Sequence, residues 1–498
     1  MLLAGLDIGT TGCKVAVYSA NGDYLGKVYQ DYPVQRTTSE HEVDAKAISD
    51  AVKSVIRQAA AQYPQIGGIG VTSFGETFVL LDEKDEPLLP AMLYTDPRGA
   101  DQCDRIAKLV GSERIIRQTG VAPAPMYSLP KLMWVKENRP EIWCRVKRIC
   151  LMEDYIVYLL SGTAQIDYSL ATRTMAFDIH RLCWAEEILR AAGIDSALLS
   201  KPVPTGTSAG VIRRELAAEL GLNESTQIVS ISHDQVAAAV GSGVFDETCA
   251  VDGAGTVECI TPVFETYDPM EMAASGYAIV PYITPGKYVC YAFSFTGGAL
   301  VDWYTKTLAG YARQEAKMSG QDIHTILETG YADAPTGLLV LPHFAGAATP
   351  YMDPGSKGAI LGLSVENTQQ DIYLSCMEGV VYEMRLNMDA LKEAGVVVKA
   401  LRATGGGARS KVWLQMKADI LNIPVTALRS EEAGAAGSAM LVGVAVGVFE
   451  NLEEAAKVMV APMDTYYPRQ DVHERYESTY QRYTKVYNAV RPLNNTEV

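Results

Sequence analysis

Near the N-terminus, Asp7 is followed by Gly9-Thr10-Thr11-Gly12 and Lys14, with apolar runs on either side (Leu2 to Leu6, Val15 to Tyr18). These residue types can hold a polyphosphate. The apolar flanks read as two strands and the glycine-bearing centre as the turn between them. Gly9 and Gly12 are expected to take positive φ and bring successive N–H groups to one side, a nest for phosphate oxygens. Thr10 and Thr11 add donors and Lys14 adds charge. Asp7 would repel phosphate unless a divalent cation stands between them, so the combination predicts a magnesium nucleotide. For this stretch alone, a tight hairpin without a ligand is the plain alternative.

The second half echoes the pattern. Cys249 to Glu258 runs strand, Asp252, Gly253-Ala254-Gly255, Thr256, strand, and Asp252 follows Asp7 by almost half the chain. Duplicated halves, each offering a hairpin to one polyphosphate, resemble the plan shared by sugar kinases, actin and the heat-shock chaperone ATPases.

Composition bounds what surrounds these hairpins. A chain of 498 residues, 48% hydrophobic, has core for two domains. A formal charge of −16 disfavours nucleic acid or an anionic membrane as partner. Nine scattered cysteines without a CxxC pair argue against a disulfide framework or structural zinc and for a reducing compartment. The N-terminus lacks a basic region and its apolar run is short, so no secretory signal is read and a cytoplasmic location is expected. Ala433 to Phe449 is apolar but rich in Gly and Ala, flanked by Glu432 and Glu450, and shorter than the roughly 18 residues of a membrane span. It reads as a buried, closely packed helix.

Alternating segments predict α/β layers. A helix is expected from Ala45 to Gln62, a buried strand over Gly67 to Ser73, a strand over Val79 to Asp82, and a strand over Leu93 to Asp96 that presents Asp96 and Arg98. The tail from Asp471 to Arg491 spaces Tyr476, Tyr480, Tyr483 and Tyr487 as one amphipathic helix, an aromatic stripe assigned to packing.

Two longer stretches carry a sharper resemblance. Met126 to Asn138 (MYSLPKLMWVKEN) fits the first signature of the FGGY carbohydrate kinases, with Lys131 and Trp134 at its fixed positions. Gly358 to Glu378 fits the second apart from Cys376. With both hairpins, ISHDQVAAAVGSG, TGGALVDWY, DPGSKGAILGL, TGGGARSKVW and EAGAAGSA, the chain is identified as a member of that family, xylulokinase- and glycerol kinase-like, over nearly its whole length. The resemblance implies an α/β fold of two ribonuclease-H-like domains of actin/hexokinase type flanking a deep catalytic cleft. Residues 1–245 would form the sugar side with the first phosphate hairpin, and residues 246–498 the nucleotide side.

Roles follow from the resemblance, with ATP and Mg²⁺ as the implied cofactors. Asp234 matches the catalytic aspartate, expected to orient the acceptor hydroxyl and take its proton, with Gln235 beside it on the substrate. Asp7 resembles the metal-side aspartate. Thr10, Thr11 and Lys14 resemble the first phosphate loop, and Gly255 and Thr256 the second. Thr296, Gly297 and Gly298 give the nucleotide close backbone approach, and Gly406 and Gly407 resemble the adenosine wall. Asp96 matches an aspartate near the sugar, with an exposed ion pair to Arg98 as the bland alternative. Glu76 and Thr77, in a GET motif, fall where glycerol kinases carry RET. His233 stands where the relatives usually have glycine; neighbouring side chains usually point apart, and it is read as a structural histidine.

Departures mix the substrate signals. Asp234-Gln235 resembles glycerol kinase, but the tyrosine that precedes the signature serine there aligns with Met126, with Tyr127 one place on. The GERTP of many pentulose kinases is replaced by Gly346-Ala347-Ala348-Thr349-Pro350. The expectation is phosphorylation of a terminal hydroxyl on a small ketose, xylulose-like pentulose first and glycerol or a tetritol as the alternative, by a homodimer. A chaperone or actin-like ATPase would lack the two signatures. A silent sugar sensor would lose Asp234 or add a DNA-binding module.

Overall fold

Leu3, Ala4, Leu6 and Ile8 are fully buried, and the strand they form, β1 (Leu2–Ile8), turns over Gly9 to Thr11 into antiparallel β2 (Gly12–Ser19), with Asp7 in register with Lys14. The computed structural model describes residues 1–429 and 432–494. The chain divides into two units. One comprises Met1–Phe245, Ala278–Val289 and Glu432–Val460, and the other Asp246–Tyr277, Cys290–Glu431 and Ala461–Val498.

In the first unit, β1 and β2 continue into β3 (Tyr24–Asp31), and the sheet is completed by β4 (Ile66–Ser73), β5 (Thr207–Val211) and β6 (Gln227–His233) in the order β5-β6-β4-β1-β2-β3. β1, β4 and β6 are mutually parallel, and their registers bring Ile8, Ser73 and His233 to one edge. In open α/β sheets that carboxyl edge is where ligands bind. Helix α1 (Ala45–Gln62) starts at Asp44, whose carboxylate accepts the Lys46 N–H, and buries Ile48, Val52, Val55, Ile56 and Ala59 along one face. Three further helices serve the edge: α2 (Ser128–Asn138), α3 (Tyr168–Thr172) and α4 (Asp234–Gly241), which follows β6 directly.

In the second unit, β7 (Ala250–Ala254) and β8 (Glu258–Phe264) form the echoing hairpin. With β9 (Ala292–Ser294), β10 (Leu401–Thr404), β11 (Val425–Leu428) and β12 (Pro462–Tyr466), the strands run β9-β8-β7-β10-β11-β12. Its helices include α5 (Gly298–Thr307), α6 (Gln369–Glu393) and α7 (Lys411–Leu421). Between β11 and β12 the chain returns to the first unit as α8 (Ala433–Ala445). This helix packs on β1, β4 and α4. A Cβ at Gly437 would collide with the Ala237 carbonyl, and one at Gly241 with the Ala433 carbonyl, so glycine lets the backbones of α4 and α8 meet.

The helix over 45–62 and the strand over 67–73 lie where expected. Three elements differ. Only Ala91–Met92 is strand, and Leu93 to Asp96 is a turn closed by the Asp96 N–H on the Leu93 carbonyl. The tail forms two helices, α9 (Gln470–Tyr483) and α10 (Val486–Asn494), because a break at Thr484 lets Tyr487 stack on Tyr351 at 3.8 Å and donate to Asp353 at 2.8 Å. All four stripe tyrosines are buried. The apolar helix near 433–449 stops at Ala445, and no helix among the described residues is long and apolar enough to cross a membrane.

Candidate active site

Asp234 is the first residue of α4, at the carboxyl edge of β6. His233 caps this helix: its Nδ1 accepts the Gln235 N–H at 3.4 Å and lies 3.2 Å from Asp234 Oδ1. The two neighbouring side chains therefore converge, contrary to expectation. Burial, followed by repulsion from Arg173, pulls His233 down to about 3, so the ring is neutral near pH 7. Asp234 Oδ1 is buried without a hydrogen-bond donor among the described residues. Burial raises Asp234 to about 6, against the Gln235 N–H, Arg173 and Lys14, which all favour the ionised form. A third of the side chain still reaches open space. A carboxylate anchored at a helix start with part of its side chain open can take a proton from a hydroxyl brought to that open part.

The helix is mounted from behind. Asp167 caps α3 by accepting the Ser169 and Leu170 N–H groups, and Ser169 Oγ in turn accepts the His233 N–H at 2.9 Å.

Glu76 lies beside this edge in a φ of 64°, a left-handed conformation that costs a non-glycine residue about 1–3 kcal/mol and clusters at functional sites. Ser128 Oγ donates to its carbonyl at 2.6 Å. Its Oε1 accepts two N–H groups of Arg173, one at 2.6 Å, and both side chains are buried. Arg173 lies 5.2 Å over the Tyr127 ring. Thr77 is buried nearby in sequence, its hydroxyl without a partner among the described residues.

Asp96 is buried, and its carboxylate is filled. It accepts the His41 N–H at 2.8 Å, the Arg98 N–H at 3.0 Å, and Arg98 Nε and Nη2 at 2.8 and 2.6 Å. The ion pair with Arg98 thus forms, but inside the protein rather than on its surface. Trp134 carries Arg98 at 5.1 Å. Lys131 is fully buried, donates to the Pro125 carbonyl, and is pulled down to about 8 chiefly by burial, against attraction from Asp96 and Glu76. The first signature is therefore a mount for this cluster: Ser128 holds the Glu76 carbonyl, and Tyr127 and Trp134 carry the arginines that hold Glu76 and Asp96.

In the first hairpin, neither Gly9 nor Gly12 takes a positive φ. Gly12 keeps space free instead, since a Cβ there would stand 2.9 Å from the Gln30 carbonyl oxygen and crowd the Tyr29 ring. Tyr32 anchors the turn by donating its hydroxyl to the Gly9 carbonyl and its N–H to the Thr11 carbonyl. Thr10 and Thr11 sit on the turn, half-buried and exposed. Lys14 makes ion pairs with Asp7 at 3.2 Å and Glu432 at 2.8 Å. Burial raises the Asp7 pKa, Lys14 opposes the rise, and Asp234 adds to it, so the two aspartates are near enough to repel. A Cβ at Gly434 would lie 3.6 Å from Asp7 Oδ2 and 3.8 Å from the Asp234 carbonyl, which places these residues around one point.

The second hairpin differs in its aspartate. Lys417, on α7, donates to Asp252 at 2.6 Å and to Glu258, and all three are buried, so Asp252 is committed to the interior of its unit. Gly255 and Thr256 are joined to Gly297, Gly298 and Ala299 by backbone bonds of 2.8–3.1 Å. A Cβ at Gly405 would lie 2.7 Å from the Ala254 carbonyl, so three glycine loops meet at this hairpin. Gly407 packs there too, whereas a Cβ at Gly406 would meet nothing within 4 Å. Thr296 turns its hydroxyl inward, donating to the Pro342 carbonyl. Beside Gly405, Ala408 and Arg409 lies a cavity of ≈ 300 Å³ that reaches Leu428 and Tyr466. Ala347 and Ala348 are buried, so the sites left by the missing Glu and Arg are closed over.

Sequence reasoning missed Arg173, Tyr32, Glu432 and the Asp167–Ser169 support. A charged residue within the stretch Leu170 to Phe177, which otherwise holds only apolar residues and two threonines, was the available signal for Arg173.

Two α/β units, a capped aspartate at a carboxyl strand edge and converging glycine loops define a phosphotransferase of the sugar kinase type. Residues 2–241 match the N-terminal domain and residues 254–446 the C-terminal domain of the FGGY family of carbohydrate kinases, and the chain belongs to that family. It is 26% identical over 498 residues to a xylulose kinase of Bacillus subtilis (strain 168), covering 98% of this chain and 97% of that one. It is 28% identical over 484 residues to a gluconokinase of the same organism, covering 96% and 93%. The crystal structure of xylulose kinase from Rhodospirillum rubrum superimposes with a TM-score of 0.88 at 24% identity over 100% of both chains, which shows a shared actin/hexokinase-like fold.

Proposed function

We propose that the chain transfers the γ-phosphate of ATP to a terminal hydroxyl of a small ketose, with a xylulose-like pentulose as first choice. One observation carries this: Asp234 stands at the carboxyl edge of the first sheet with a third of its side chain open and Asp7 near enough to repel it. Asp234 aligns the acceptor hydroxyl and accepts its proton as the phosphoryl group arrives. Glu76, Thr77 and Gln235 contact the acceptor, and Asp96, with Arg98, sets the pocket wall. Thr10, Thr11, Lys14, Gly255 and Thr256 receive the phosphates; Thr296, Gly297 and Gly298 line their approach, and Gly406 and Gly407 the adenosine.

Asp7 is the residue to hold Mg²⁺. Among the described residues no group of three or more His, Cys, Asp or Glu side chains is set to hold a metal, and Asp7 would be the protein's carboxylate toward a magnesium nucleotide. When bound, Mg²⁺ would neutralise charge on the transferring phosphoryl group. In this account residues 1–245 build the sugar-side domain and 246–498 the nucleotide-side domain, apart from Ala278–Val289 and Glu432–Val460, which belong to the first unit, and the enzyme works as a cytoplasmic homodimer.

The relative called xylulose kinase, alike over nearly the whole chain, supports the pentulose. A polyol kinase acting on glycerol or a tetritol is the second reading, favoured by the Asp234-Gln235 pair. A coupled ADP-release assay over xylulose, glycerol, erythritol and gluconate tests both. Turnover with xylulose at least about tenfold above the others in kcat/KM is expected; preference for a polyol or for gluconate would overturn the first choice.

A further inference from the structure

The acceptor cluster contains one arginine that enters from an unexpected direction. Arg173 follows α3, yet two of its N–H groups end on Oε1 of Glu76. The space its stem occupies exists because residue 75 is glycine. A Cβ at Gly75 would stand 2.8 Å from Arg173 Cγ and 3.1 Å from His233 Cδ2, closer than packed atoms allow unless one of them moves. The Tyr127 ring closes the other side of the guanidinium. With both N–H groups ending on Oε1, Oε2 receives neither of them. A carboxylate clamped on one oxygen by a rigid guanidinium fork loses its freedom to rotate.

We propose that Arg173 is the positioning residue for acceptor selectivity: lodged in the space Gly75 leaves open, it clamps Glu76 so that Oε2 is presented to one acceptor hydroxyl. This rests on the kinase function proposed above and deepens it. An ionised carboxylate oxygen only accepts hydrogen bonds, so the clamped Oε2 selects a hydroxyl at one carbon of the acceptor over a deoxy carbon, a carbonyl or a carboxylate there.

The test compares the full-length enzyme with Arg173→Lys, Arg173→Met and Gly75→Ala, measuring kcat and KM for the best acceptor, for its single-deoxy analogues, and for ATP. In the parent enzyme one deoxy analogue should lose roughly 10- to 150-fold in kcat/KM, as for a charged hydrogen bond. In Arg173→Met that penalty should fall to within about threefold while KM for ATP stays within about twofold. Gly75→Ala should move the same way by displacing Arg173, and Arg173→Lys should restore part of the discrimination, which a merely structural role would not do. Where Arg173→Met does not fold, the other two variants decide. An active parent enzyme whose variants keep the full deoxy penalty, or which lose acceptor and ATP affinity alike, would overturn the clamp alone. A parent enzyme that releases ADP with no acceptor would overturn the function and the clamp together.

Discussion

His233 Nδ1 lies 3.2 Å from Asp234 Oδ1 but accepts the Gln235 N–H as the N-cap of α4, and so brings Asp234 neither a proton nor a charge. The histidine is a cap. His233→Ala should therefore cost about 0.5–2 kcal/mol of stability, the usual loss for an N-cap. Its effect on kcat should stay short of the roughly 10²-fold that marks a lost base. Chemical denaturation and steady-state kinetics on the same preparation check this. A kcat loss of 10²-fold or more at unchanged stability would make His233 a participant.

The acid limb of the pH profile should report Asp234. The carboxylate must be ionised to accept a proton, and burial holds its pKa at about 6. Hence kcat/KM should climb about tenfold per pH unit below that value and level off above it. A profile flat from about pH 5 to 8 would contradict this.

Lys14 pairs with Asp7 at 3.2 Å and with Glu432 at 2.8 Å, so Asp7→Asn leaves the lysine held by Glu432 and, on the proposed role of Asp7, removes the carboxylate that would hold Mg²⁺. The variant should need more Mg²⁺ for half-maximal rate, by at least about tenfold, since second-shell losses alone reach that range. Titrating Mg²⁺ at fixed ATP measures it. An unchanged requirement would assign Asp7 to structure only.

Lys417 is buried against Asp252 and Glu258. Burial, augmented by repulsion from Asp252, raises the Glu258 pKa, and Lys417 opposes the rise. Removing the lysine leaves the second hairpin with uncompensated acids. Lys417→Met should cost about 3–5 kcal/mol in urea denaturation. A loss below about 1 kcal/mol would mean the acids are already neutral.

Much of this fold was legible because its signals are local. The Asp-Gly-Thr pattern of both hairpins, the apolar face of Ala45 to Gln62 and the glycine-alanine run after Glu432 each depend on residues within one or two turns of chain. The site was legible only in part. Asp234 was found through its neighbours in sequence, but Arg173 reaches Glu76 across 97 residues and Lys14 reaches Glu432 from the opposite end of the chain. Asp96 was misplaced for a related reason. The segment Leu93 to Asp96 has strand-like composition, yet the His41 and Arg98 donors that fill its carboxylate favour a turn. At Gly12 the expected positive φ is absent: what glycine spares there is a close approach to the Gln30 carbonyl of the neighbouring strand, which no pattern within the loop records.

The central claim is that Asp234 aligns the acceptor hydroxyl and takes its proton, and Asp234→Asn tests it most directly. The substitution keeps the shape and removes the negative charge and basic oxygen. On the best acceptor kcat should fall roughly 10³-fold, part of it through lost alignment, because proton transfer comes late in a loose transition state. KM for ATP should barely move, since the phosphates are assigned to the hairpins. If Asp234→Asn kept more than about a tenth of the parent kcat, Asp234 would not be the base.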